Sequence, residues 1–200
     1  MKQNDFISKA VCELLEDGFS LRLPMTRSID GKYGGWFSGE TKQKEFVVAM
    51  KRDCAFEIFV HEYCHYLQWK ERPEFYNKKA RGCDVVFNWL DGEDYSDRVL
   101  AKAFANVIEL ELDCERTVLQ LVKRYKLPID VEKYIRGANC YLFFYHTVHE
   151  TRAWTSKNRS PYSPRFRALA QNVLHPFEYY LDTTNYDAKL RRGHRKICSA

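Results

Sequence analysis

The chain has 200 residues, 45% of them hydrophobic and 30% charged, with nine glycines and six prolines. That composition excludes collagen-like, low-complexity and wholly disordered chains, and the length suffices for one domain with a sizeable core. The net charge is +5, and Lys189, Arg191, Arg192, Arg195 and Lys196 supply five positive charges with no acid among them, so the rest of the chain is neutral.

No apolar run approaches the ~20 residues that span a bilayer. Asp5, Glu13, Glu16 and Asp17 interrupt the first apolar stretch, which therefore does not read as a secretory signal. A cytoplasmic, monomeric chain is the expectation. The seven cysteines are odd in number and include no CxxC pair. They read as reduced thiols packed like small apolar side chains, with Cys54, Cys64 and Cys114 inside helical patterns.

In chain order, Phe6, Ile7, Ala10, Val11, Leu14 and Leu15 recur at helical spacing and predict an amphipathic helix over 5–17, ending at Gly18. The stretch 21–29 is irregular. Tyr33–Phe37 and Glu45–Met50 read as two neighbouring strands, separated by Gly39 and polar residues up to Lys44. Gly34 and Gly35 either bend the first strand or let another backbone come close. Asp53 is the expected N-cap of a helix that stops before Pro73. Residues 73–95 read as a folded insert of helical pieces that shapes a cleft. Ser96 caps a long helix over 97–125, whose inner face carries Phe104, Val107 or Ile108, Glu111, Cys114 or Glu115, Val118, Leu119 and Val122. Asp130 caps another helix through Tyr134, Tyr141 and Tyr145 toward Trp154. A polar loop over 156–164 and a short helix over 166–173 follow. The fold class is α+β: a mainly helical single domain over 1–188 with a small sheet ahead of the helix that begins at Asp53, then a solvated basic tail over 189–200. A second acid-free stretch, 152–167, holds Arg152, Lys157, Arg159, Arg165 and Arg167.

The chemistry lies in His61-Glu62-Tyr63-Cys64-His65, an HExxH motif on the helix that follows the sheet. Residues four apart on a helix rise about 6 Å and differ by about 40° in direction, so both imidazoles can face one metal ion. Glu62, beside the first ligand, is placed to take the proton of a metal-activated water and return it to a leaving amine. A catalytic zinc commonly takes three protein ligands. Tyr66 to Glu71 holds no further histidine, but the long helix offers Glu111 and Glu115, one turn apart on a face that otherwise packs inward. Burying such carboxylates is costly without a compensating partner, which a metal would supply. For oxyanion stabilisation, Tyr145, His149 and Arg152 share one helical face, with Tyr141 and His146 nearby in sequence.

His61, Glu62 and His65 with a later helical glutamate resemble the gluzincin branch of zincin metallopeptidases. The likeness covers roughly half the chain, about Tyr33 to Tyr125, and the compact size is similar to small single-domain phage and bacterial members. Glu111-Leu112-Asp113-Cys114-Glu115 is similar to the branch's ExxxD arrangement, with glutamate in place of aspartate. The resemblance implies one zinc ion on His61, His65 and Glu111, with Glu115 supporting a histidine; the reverse assignment of the two glutamates stays open. Glu62 is the expected catalytic base, and Tyr145 and His149 are the expected catalytic donors from the later helix. A sheet edge, in Tyr33–Phe37 or Glu45–Met50, is expected to pair with a peptide or protein substrate. Two other readings stand beside it. One is a nucleic-acid-associated protein, or one with an acidic partner, that binds through Lys189–Lys196 and keeps a structural or regulatory metal site. The other is a structural zinc clip with four protein ligands, the fourth being His149 or the second glutamate.

Overall fold

The structure, a computed structural model, describes residues 1–31, 33–39, 43–156 and 159–198. Residues 40–42 of the expected strand connection, Lys157 of the basic stretch and residues 199–200 lie outside the described residues. The elements are α1 (Gln3–Glu16), β1 (Ser20–Arg22), β2 (Gly35–Ser38), β3 (Glu45–Val48), α2 (Ala55–Glu71), α3 (Pro73–Leu90), α4 (Asp97–Tyr125), α5 (Val131–Thr151), α6 (Pro164–Arg167), α7 (Phe177–Leu181), a 3-10 turn (Thr183–Asn185) and α8 (Ala188–Cys198). A small mixed sheet thus precedes a mostly helical region, and the class is α+β. No helix among the described residues is long and apolar enough to cross a membrane.

Two compact units share the chain: Met1–Pro73 with Arg116–Ile129, and Glu74–Glu115 with Asp130–Ala200. In the first, the strand order is β1-β3-β2, with β1 parallel and β2 antiparallel to β3. β1 lies in the stretch read as irregular; three residues are too few to show a period, and their pairing partner is remote in sequence. β3 is central, so Glu45–Met50 cannot be the free edge, and that alternative is corrected. β2 is an edge. A side chain at Gly35 would place its Cβ 2.6 Å from the Val47 carbonyl oxygen, so this glycine is what permits the close backbone approach.

Helix α2 packs against β2, β3 and α1. Its N-cap is Cys54 rather than Asp53, and no side chain caps it. Phe56, Phe59, Val60, Tyr63 and Tyr66 are buried. The last two also reach α1: the Tyr63 hydroxyl donates to Glu13, and the Tyr66 hydroxyl donates to Asp17 at 2.7 Å. Lys70 adds an ion pair to Asp17 at 2.8 Å and, with Tyr66, holds that carboxyl below its ordinary range. Polar groups on buried tyrosines are satisfied in this way without leaving the apolar interface.

In the second unit, residues 73–90 form one helix rather than helical pieces. Pro73 opens it, where a missing N–H costs nothing. Gly82 lets α3 approach α4, since a Cβ there would meet the Ala103 carbonyl oxygen at 2.7 Å. Asp130 caps α5 as expected, accepting from the Lys133 N–H at 3.0 Å. The short helix falls at 164–167, earlier than predicted. The basic C-terminal segment is not a solvated tail over its described part: Leu190, His194, Ile197 and Cys198 of α8 are buried, and α8 packs on α5.

His194 anchors this packing. Its Nε2–H donates to the Pro161 carbonyl at 2.7 Å, so Nδ1 accepts from the Tyr186 hydroxyl, which in turn accepts from Thr147 Oγ1 at 2.9 Å. Burial pushes the imidazole from its ordinary 6.5 down to about 4. Between those values the unfolded chain takes a proton that the folded chain refuses. The contribution is therefore fully present above pH 6.5, declines as pH falls, and levels below about 4. Urea unfolding of the wild type should show a loss on this account of up to about 3 kcal/mol between pH 7 and pH 4. His194→Gln should flatten that part of the profile, and an unchanged slope would remove His194 as its source.

Candidate metal centre

Helix α2 is buried on nearly every side, so its polar residues must meet other protein groups rather than water. Glu62 and His65 are buried, and His61 is half-buried. The four-residue spacing brings the two imidazole centroids to 4.8 Å with their planes at 89°, so the rings converge without stacking. His65 Nδ1 lies 2.8 Å from Gln68 Oε1. An amide oxygen only accepts, so Nδ1 carries the hydrogen and Nε2 keeps its lone pair. This is how histidine ligands are oriented in metal sites.

The third donor comes from α4. The donor atoms of His61, His65 and Cys114 all lie within 4.8 Å of one another. Two imidazole nitrogens and a thiol, with Glu62 on the same helix turn and Glu115 adjacent to Cys114 in sequence, make a candidate metal-binding cluster. The donor set fits zinc, which accepts both nitrogen and sulfur. Cys114 was read from sequence as a packed thiol. The signal that could have found it was its position between Glu111 and Glu115 on the inner face of α4.

Both glutamates are buried, at 7% exposure for Glu111 and 4% for Glu115, so α4 does not turn them out to solvent. The Glu111 carboxylate accepts from the Tyr145 hydroxyl at 3.2 Å. That hydroxyl is also 3.0 Å from the Tyr141 hydroxyl. Burial and the nearby Glu111 charge raise the Tyr145 phenol well above its ordinary value, so it remains a donor. The same two causes push the Cys83 thiol up, which keeps it protonated. His149 is exposed, and its ring packs 4.7 Å from Phe104 and 6.1 Å from Trp89. Arg152 ends α5 in a left-handed conformation and donates to the carbonyls of Trp89 (2.9 Å) and Glu93 (2.7 Å). Those bonds tie α5 to the α3–α4 connection. His146 Nε2 lies 2.6 Å from the Tyr180 carbonyl, and burial lowers its pKa.

Comparison with protein-family models, curated proteins and solved structures finds no match.

Zinc titration of the wild type should show one ion per chain, and His61→Ala or His65→Ala should abolish it. Gln68→Leu should weaken the affinity by about tenfold to a hundredfold, because it releases the His65 ring. Cobalt substitution should give a thiolate charge-transfer band that Cys114→Ser removes. A band that survives in the variant would exclude Cys114 as a ligand.

Proposed function

We propose that the chain is a zinc-dependent peptidase. The observation that carries this reading is the convergence of His61 and His65 from one helix turn on a third buried donor, with Glu62 beside the first histidine. Zinc bound there would supply Lewis acidity and make water acidic enough to be deprotonated near neutral pH. Glu62 is the general base. Its carboxylate takes the proton of the attacking water and, as the C–N bond of the substrate breaks, gives that proton to the departing amine. Strand β2 packs on the motif helix and lies at the edge of the described sheet, where an extended peptide would align. His61, His65 and Cys114 would be the three protein ligands and would leave the fourth position to water, while Tyr145 holds the Glu111 carboxylate rather than meeting the substrate oxyanion. In this form Cys114 takes the place that the resemblance to gluzincins gives to Glu111.

A second reading follows from Cys114. Two histidines, a thiolate and a glutamate would close a four-coordinate site, as in structural zinc centres. The two readings separate on one variant. With Glu62→Gln, one zinc per chain should remain while hydrolysis of a quenched-fluorescence peptide library falls by about 10²–10⁴-fold. Full activity in the variant would remove Glu62 from the chemistry. Wild-type zinc protein with no turnover of any library member would favour the closed site.

A further inference from the structure

The outer face of α8 carries a second, independent feature. Counting 100° per residue, the buried Leu190, His194, Ile197 and Cys198 share one side of the helix, and Lys189, Arg192 and Lys196 share the other. All three are exposed. The remaining two cations of the segment differ. Arg191 and Arg195, on the flank facing α5, both pair with Glu150, Arg195 at 2.7 Å. The surplus charge of the chain is thereby sorted into a flank paired with one carboxylate and an outward row.

Neighbouring cations extend the row. Arg159 donates through Nη1 to the Lys196 carbonyl at 2.9 Å, which fixes it at the C-terminal end of α8. The Phe166 ring lies against α8 where Gly193 leaves room for it. The Arg165 guanidinium sits 4.5 Å from the centre of that ring, beside the other flank. No acid occurs in 152–167 or 188–198.

We propose that this face binds the phosphate backbone of nucleic acid. The apolar side of α8 is already buried in the fold, so the helix cannot lie in a membrane interface with that side in the lipid. The exposed row itself carries no apolar or aromatic residue, whereas protein–protein interfaces are anchored by such residues at their centre. What the row offers is a straight line of cations about one helical turn apart. That suits a regular line of anions read without sequence, with arginine able to grip phosphate through two N–H groups.

The test is fluorescence anisotropy of the full chain with a labelled 20-base-pair DNA duplex across salt concentrations. The wild type should bind, with a log–log salt slope of about −3 or steeper, at ~0.9 per phosphate contacted. Lys189→Glu, Arg192→Glu and Lys196→Glu together should weaken binding more than tenfold and remove about three from the slope; Arg192→Gln alone should remove about one. A control with the same charge change on exposed residues of α3 and α4, Lys78→Glu, Arg98→Glu and Lys102→Glu, should bind within about threefold of wild type, since those cations lie outside the row. Circular dichroism should show equal helicity in all variants. The proposal fails if wild type shows no binding at low salt, or if the control loses as much as the α8 variant. It also fails if polyglutamate displaces the duplex at equal charge, which would assign the face to an acidic protein instead.

Discussion

Burial of helix α2 is the constraint from which the rest of the first unit follows. The sheet covers one side of it and α1 another, and an apolar face of Phe56, Phe59, Val60, Tyr63 and Tyr66 fills those contacts. A buried helix must give each polar side chain a protein partner. The tyrosine hydroxyls are satisfied by Glu13 and Asp17 of α1. His65 is oriented through Nδ1 by Gln68. The same burial that stabilises the helix therefore fixes the orientation of a metal ligand.

Helix α4 carries a charge problem of its own. It is buried around Glu111, Cys114 and Glu115, a concentration of acidic and thiol groups that would be expensive in an apolar interior by itself. Tyr145 donates one hydrogen bond to Glu111. A divalent cation is the group whose charge suits such a neighbourhood, and its binding would offset the cost of burial. The stability of the helix and the proposed chemistry thus depend on the same few side chains.

The C-terminal helix shows how packing sorts charge. Its apolar side is small, with Leu190 and Ile197 as its only aliphatic residues, and His194 supplies the remaining anchor through two hydrogen bonds. Local pattern reading sees mainly lysine and arginine there and expects solvent. Glu150 on α5 then distinguishes two arginines from their neighbours. No feature of the segment itself separates them, because the separation depends on which helix lies alongside.

Sequence alone determined the helices with strong 3.6-residue periodicity, α1, α2, α4 and α5, because each carries its own apolar stripe and stop signals. It also determined the pairing of His61 with His65, since four-residue spacing on a helix is a local geometric fact. It placed Glu111 and Glu115 on an inward face for the same reason. Tertiary structure decided what is not local. It made β3 central and β2 an edge, it joined β1 to the sheet through a parallel partner, and it folded α8 against α5. It also set Tyr145 of α5 beside Glu111 of α4, a meeting of residues on separate helices that no spacing rule encodes. A period in the chain can specify which face a residue occupies, but the group it meets across that face is fixed only when separate elements pack.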